Sequence, residues 1–521
     1  IANLDHSQGQ AVINTYDGVQ RIRGLAGSGK TIVLALKVAY LHAMNPDWDI
    51  AITFNSRSLK GQFESLITRF IIERTKQEPD WDKISIIHAW GSSGGNAHSG
   101  IYYDFCKDHG EEYFDFSKAK AKFGYDDSFE GVCDLALKNN KGKIKPKYDV
   151  ILVDEAQDFS SEKSSPFLML CYELLKEPKR FVYAYDELQS LSLKPMPSPE
   201  EIFGLNETGE HRVKNGEFDD IVLYKCYRNS RPMLATAHAL GFGIYSECGL
   251  IQMFEDKNTW SDIGYNVYSG TLEKGEKVVL ERTNDTSPQF LEQLHPKDDL
   301  ISFQSFKSDD EQIEFLVNDI IENLSNEELL PRDIIVINTN PMTTKNSVSK
   351  ARKLLFEKGY NNSLAGVSNS PDIFHEKDAI TFTGIYRAKG NEAGMVYVMN
   401  SQYCYDGYSL ARKRNILFTA ITRSKAWVRV LGYGAQMDKL CEEYNRIMEK
   451  NYHLDFKYPT DPEMKKMNLL NRDRTTEDQK KLKSAKDAAS NLLSSFEKGD
   501  IEIADIDPKV LKRLKDAMGG E

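Results

Sequence analysis

Gly24-Leu25-Ala26-Gly27-Ser28-Gly29-Lys30-Thr31 is the stretch whose reading decides the fold. It fits the pattern G-x-x-x-x-G-K-[ST]. In that pattern glycines let the backbone curl until successive N–H groups point inward at phosphate oxygens. Gly24, Gly27, Ser28 and Gly29 shape the cradle, Lys30 reaches the β- and γ-phosphates, and the Thr31 hydroxyl ligates Mg²⁺. The flanks agree. Residues 19–23 alternate like a strand, and residues 32–41 have the apolar content and length of a helix whose N-terminus faces the phosphates. Strand, loop and helix come in the required order, so ATP and Mg²⁺ are the expected cofactors.

The chain has 521 residues, enough for roughly two to four domains. Hydrophobic residues make up 40 % and charged residues 28 %, the balance of a globular protein rather than a disordered one. No apolar run approaches the length of a membrane span, and no membrane partner is expected. Seven cysteines are scattered with no C-x-x-C pair, the pattern of reduced thiols in a cytoplasmic protein rather than of a disulfide framework or zinc site. The net charge of −11 argues against a nucleic-acid binder that is basic all over, but not against a local basic groove. Position 1 is Ile, so further residues are expected upstream.

Working outward, Asp5 or Ser7 suits the cap of a short helix, on which Gln8 reads first as a solvated residue. Ile50-Ala51-Ile52-Thr53-Phe54 reads as a buried strand. It ends in the polar, basic stretch 55–62, and such a loop at a strand's carboxyl end can hold a phosphodiester backbone, with Arg57 and Lys60 as its cations. A short strand at 84–87 runs into His88-Ala89-Trp90, where the indole either stacks on a base or belongs to the core. Residues 91–147 begin Gly-rich and read as a mostly helical insertion ending in a basic run, 138–147.

Val150-Ile151-Leu152-Val153-Asp154-Glu155-Ala156-Gln157-Asp158 is the second strong signal. Four apolar residues make a buried strand, and two carboxylates stand at its end, where α/β sheets place ligands. Asp154 is positioned to hold Mg²⁺ and Glu155 to polarise the attacking water. A strand at 181–185 leads to Gln189, whose amide could sense the γ-phosphate. A second strand–helix series over 333–432 implies a second α/β domain, with residues 427–432 closing its sheet. Residues 463–521 hold one aromatic and many charges, and read as charged helices on a flexible stem.

Together these stretches resemble the UvrD/Rep-like branch of superfamily 1 DNA helicases, over roughly residues 4–435. The resemblance implies that Gln8 reads adenine and that Tyr227 stacks on it. Gln189 becomes the coupling glutamine, Arg228 and Arg423 two arginine fingers, and Glu392 a group near the ribose. Arg57, Lys60, His88, Trp90, Tyr386 and Arg387 fall in nucleic-acid motifs. The chain departs from the family in four places. Ile32 stands where the family commonly has Arg. Leu191-Ser192-Leu193-Lys194 replaces an aromatic and an Arg that stack on bases. Tyr386 replaces a His. Only residues 367–379 occupy the place of the large 2B subdomain, and 91–147 is short for subdomain 1B.

The expected fold is α/β, with two RecA-like P-loop NTPase domains, a short helical insertion and a charged helical C-terminal tail. Domain 1A takes residues 1–90 and 148–222, subdomain 1B 91–147, domain 2A 223–462 and the tail 463–521. The expected activity is that of an ATP hydrolase working as a translocase or helicase on single-stranded nucleic acid, with DNA favoured and 3′→5′ movement. A second reading is an ATPase switch subunit of a larger nuclease-containing assembly, of the kind found in anti-phage defence, with little unwinding of its own. It calls for a protein partner or an upstream nuclease-like domain.

Overall fold

The computed structural model describes residues 4–93, 99–161, 164–191, 194, 196–206, 208–213, 218–326, 329–370 and 372–470. Part of the Gly-rich start of the insertion, Ser192 and Leu193, and the tail from 471 onward lie outside the described residues. No helix among the described residues is long and apolar enough to cross a membrane.

The first sheet is built from β1 (Val19–Gly24), β2 (Ile50–Phe54), β3 (Ile84–His88), β4 (Tyr148–Val153), β5 (Leu175–Tyr185) and β6 (Asp219–Leu223). Their order is β3-β2-β4-β5-β1-β6, and every pairing is parallel. Both faces are covered, so β2 and the second half of β4 are continuous apolar runs rather than alternating ones. The carboxyl end of β1 hands the chain to the Gly-rich loop and then to the helix Lys30–Met44.

The expected strand at 19–23 is β1, and its polar side chains are buried as well as its apolar ones. Arg21 and Arg23 are buried, and both guanidiniums converge on Asp220 of β6. Arg21 donates to both Asp220 oxygens at 3.1 Å, and Arg23 donates at 3.0 and 2.6 Å. Burial alone would raise the Asp220 carboxyl, but the two cations outweigh it and hold it at about 2.

The remaining strands are β7 (Gln252–Phe254), β8 (Tyr265–Gly270), β9 (Lys277–Arg282), β10 (Ile301–Phe306), β11 (Ile334–Asn338), β12 (Asn362–Leu364), β13 (Ile380–Gly384), β14 (Ala393–Met399), β15 (Ser424–Tyr433), β16 (Leu454–Lys457) and β17 (Asn468–Leu470). The second large sheet runs β10-β15-β14-β11-β13-β12, again all parallel. Two expectations are corrected here. The stretch 427–432 does not close the sheet, because β10 lies outside β15 as the edge strand. Residues 463–470 do not belong to a free tail, because β17 pairs with β7 and Leu470 is buried.

Each large sheet is a parallel, helix-covered RecA-like core. Helices Ile101–His109, Phe116–Phe123 and Ser128–Asn139 make up the insertion. Between β12 and β13 the described residues hold a loop with no helix or strand.

Removing Asp220 strands two buried cations, which costs about 3–5 kcal/mol when a buried pair is broken. Asp220→Ala is therefore expected to lower the urea midpoint markedly. The carboxyl is depressed in the folded state, so its contribution is present above its unfolded value of about 4 and is lost as pH falls toward about 2. An unchanged midpoint at pH 7 contradicts this assignment.

Candidate nucleotide site between the two sheets

The loop after β1 adopts the conformations that its glycines permit. Gly27 and Gly29 have φ of 74° and 85°, the left-handed region that side chains resist. A Cβ on Gly27 would come within 2.8 Å of Cys226 Sγ and 3.0 Å of Arg228 Cβ, so the segment 226–229 lies directly against the loop. There the Tyr227 N–H donates to the Gly27 carbonyl at 2.8 Å.

Lys30 is folded back, donating to the carbonyls of Gly24 at 2.9 Å and Leu25 at 3.1 Å, with Asp186 at 3.7 Å. The Thr31 hydroxyl donates to Asp154 Oδ2 at 2.8 Å. Burial, and then the neighbouring Glu155 charge, push Asp154 up to about 7. Among the described residues no cluster of three or more His, Cys, Asp or Glu is arranged to hold a metal. A hydroxyl and a single carboxylate nevertheless fit Mg²⁺, which keeps most of its waters and shares phosphate oxygens. Thr31 and Asp154 would hold it, and it would neutralise developing phosphate charge.

Glu155 stands at φ 53°, an uncommon position for a side-chain-bearing residue. Burial raises its carboxyl, but the charges of Lys389, Lys30 and Arg423 outweigh burial and keep it low, hence ionised. A continuous chain of hydrogen bonds starts from it. Gln157 Nε2 donates to Glu155 Oε2, and Gln157 Oε1 accepts from the Asp186 N–H at 3.1 Å. Asp186 Oδ2 accepts from Gln189 Nε2 at 2.6 Å, and Gln189 Oε1 accepts from Arg423 Nη2 at 2.5 Å.

Arg423, at the end of the helix Leu410–Ile421, is pushed down to about 10 by burial and by the nearby Arg228 charge. Arg228 donates to Glu392 at 2.6 Å, and its buried Nε has no hydrogen-bond partner among the described residues. Glu392 would be raised by burial, but Arg228 and Lys425 hold it at about 2. Lys30, Thr31, Glu155, Gln189, Tyr227, Arg228, Glu392 and Arg423 all line one cavity of about 350 Å³.

Gln8 is not solvated. It is buried, Asp5 caps its helix, and its amide donates to the Ser28 carbonyl at 2.9 Å. Gln8 thus lies against the loop from outside the cavity lining, and the Tyr227 hydroxyl reaches Asp5.

The nucleic-acid candidates divide. Arg57 is bound in fork geometry to Asp372 of the second domain, at 2.9 and 3.3 Å. Arg57, Lys60 and His88 line a cavity of about 360 Å³. His88 bridges Asn55 O and the N–H groups of Trp90 and Gly91, and burial pushes it down to about 4. It is a neutral ring that ties the end of β3 to the loop at Asn55. Trp90 is half-buried: its ring stacks on Phe129 at 4.7 Å and its indole N–H donates to the Phe114 carbonyl. Tyr386 is exposed beside Arg412, and Arg387 packs close to Gly366.

Sequence reasoning missed Lys389, which is buried and ion-paired with Asp158 and, at 3.6 Å, with Glu155. It also missed Asp372 and Phe290, the latter lining the nucleotide cavity. Lys389 sat inside a motif stretch, but nothing local marks its partner 231 residues away.

Two parallel, helix-covered sheets, a phosphate loop with its acid pair, and arginines from the second sheet meet around one cavity, the layout of a P-loop nucleotide site. Residues 379–431 match the family model of the UvrD-like helicase C-terminal domain. No curated protein matches it. Similar solved structures include the C-terminal domain of a possible DNA helicase from Lactobacillus plantarum WCFS1, 16 % identical, covering 27 % of this chain and 78 % of that one at TM-score 0.20. Another is a point variant of S. cerevisiae Dbp5 bound to RNA and ADP–beryllium fluoride, 11 % identical, covering 92 % and 91 % at TM-score 0.41.

Lys30→Ala and Glu155→Gln should both abolish ATP turnover, but differently. Lys30 grips phosphate, so its loss weakens nucleotide binding as well. Gln at 155 keeps the shape and leaves binding near native. Equilibrium ATP binding and steady-state turnover separate the two, and substantial turnover by Glu155→Gln contradicts its role.

Proposed function

We propose that this protein is an ATP-driven translocase on single-stranded DNA, moving 3′→5′. The observation that carries the reading is the meeting of Arg228 and Arg423, from the second domain, with the phosphate loop and Glu155 of the first, around one cavity. In phosphoryl transfer most of the catalysis is positioning and charge stabilisation. Glu155, ionised, orients the attacking water and accepts its proton. Lys30 exchanges two carbonyls for phosphate oxygens. Arg228, with an unused buried Nε, turns from Glu392 toward the γ-phosphate, while Arg423 reports through Gln189.

Hydrolysis in such a site depends on how closely the two domains approach. The same segments carry the grip on nucleic acid. Asn391 donates to Ser58 at 2.9 Å across the domains, and Lys389 joins the segment holding Tyr386 and Arg387 to Glu155. Changing the approach moves the two grips relative to one another, which is a step along the strand. DNA rather than RNA, and the direction, rest on the family.

The short loop in place of a 2B subdomain favours a second reading, an ATPase switch within a nuclease-containing assembly. Both readings share the nucleotide site and differ in what it drives, the chain's own movement along a strand or the state of a partner nuclease.

Arg228→Ala and Arg423→Ala are each expected to lower DNA-stimulated turnover by roughly 10³-fold, the scale of arginine fingers. A near-native rate makes the residue structural. On the purified chain, displacement of a protein block from single-stranded DNA should be efficient, and single-turnover unwinding of a tailed duplex poor. Efficient unwinding of a long duplex contradicts the proposal, and failure to stimulate ATPase with any single strand contradicts both readings.

A further inference from the structure

Arg57, a cation expected at the nucleic-acid strand, is already engaged. It follows β2 in the first domain and donates through Nε and Nη2 to the two oxygens of Asp372, at 2.9 and 3.3 Å. Asp372 belongs to the loop between β12 and β13 of the second sheet. This pair differs from the structural ion pairs of the chain. Arg21–Asp220 and Arg414–Glu443 are sealed from solvent. Arg57 and Asp372 are 26 % and 28 % exposed, and both line the cavity of about 360 Å³ that Lys60 and His88 also line. Water screens a pair in that position, so it is held weakly.

A second cation shares the carboxylate. A Cβ on Gly366, near the start of the same loop, would lie 2.1 Å from Arg387 Cζ, so the guanidinium rests over that glycine. Burial and the neighbouring Arg57 charge push Arg387 down, and the Asp372 charge works against them. Asp372 therefore lies within electrostatic reach of Arg57 from the first domain and Arg387 from the second. The loop is braced on both sides of it. Asn369 accepts from the Gly366 N–H at 2.9 Å and donates to Glu376 at 3.0 Å, and Phe374 is buried.

We propose that the Asp372 carboxylate is a built-in stand-in for a strand phosphate. It occupies a phosphodiester site made by Arg57 and Arg387, and single-stranded DNA binds there by displacing it. A carboxylate and a phosphodiester each offer two oxygens at the spacing an arginine fork accepts. The exchange favours the strand, because a phosphate contact adds counterion release that an internal carboxylate lacks. Arg57 and Asp372 sit on different domains, so strand entry trades a tie between the domains for contacts from each domain to the strand. The inference rests on the strand-binding reading above and adds to it an internal competitor.

The experiment measures equilibrium binding of a fluorescein-labelled oligothymidylate at low salt to the full chain, Asp372→Asn, Arg57→Ala and the double variant, with thermal melts to verify folding. Asp372 is partly exposed, so its substitution is expected to fold. Asp372→Asn should tighten binding about fivefold, the scale of a partly exposed ion pair. Arg57→Ala should weaken it. In the Arg57→Ala background the gain from Asp372→Asn should shrink to less than about twofold, because two residues that act through one contact are not additive. Unchanged or weaker binding by Asp372→Asn overturns the proposal and makes the pair a plain tie between domains. An undiminished gain in the Arg57→Ala background also overturns it, since loss of any nearby negative charge would then suffice. No binding by either wild type or Asp372→Asn overturns the strand-binding reading itself, and the inference with it.

Discussion

The Arg423 guanidinium donates to the side-chain oxygen of Gln189, and through that bond the second sheet is tied to the carboxylate at the end of β4 in the first. Arg423 holds Gln189, Gln189 holds Asp186, Asp186 holds Gln157, and Gln157 holds Glu155. Each bond lies in a buried, low-dielectric setting where hydrogen bonds are strong and orphaned partners costly. In the proposed cycle this path links the approach of the two domains to the acid assigned to the attacking water.

Charge burial places the same demand on the surroundings. Burying an ion is expensive unless it is paired in good geometry. The site therefore arrives with its charges already matched: Lys389 against Asp158 and Glu155, Arg228 and Lys425 against Glu392, Lys30 against two carbonyls. In the proposed function a triphosphate would bring several negative charges into the cavity, and the cations paired with carboxylates and carbonyls would turn to it, Glu392 then competing with a phosphate for Arg228. Away from the site, Arg414 and Glu443 form a fully buried pair at 2.7 and 2.8 Å that fixes the helix carrying Arg423.

The parts legible in the sequence were those written locally. The phosphate loop needs glycines at set offsets before a helix, and the acid pair follows an unbroken apolar strand. Both patterns survive without knowledge of the rest of the chain. Contacts made across the chain were not legible. Nothing around the arginines of β1 marks their burial, because their partner Asp220 lies on β6. Trp90 reads as core or as a stacking face from its neighbours in sequence, and nothing local shows that its ring packs on Phe129. The edge strand β10 was hidden because Ser302, Gln304 and Ser305 dilute its apolar signal. Phe290 looked like an ordinary residue of an unreadable stretch, since its significance is the cavity it faces.

The central claim is that nucleotide draws the two domains together through the arginines of the second. The most direct measurement is the distance between fluorescent labels at Asp82 in the first domain and Lys353 in the second, both exposed, in a cysteine-light chain. Adding a non-hydrolysable ATP analogue should shift the transfer efficiency to a single new value. Arg228→Ala combined with Arg423→Ala should abolish that shift without preventing binding of the analogue. A transfer efficiency that ignores nucleotide in the wild-type chain, under conditions where the analogue is shown to be bound, would contradict the claim.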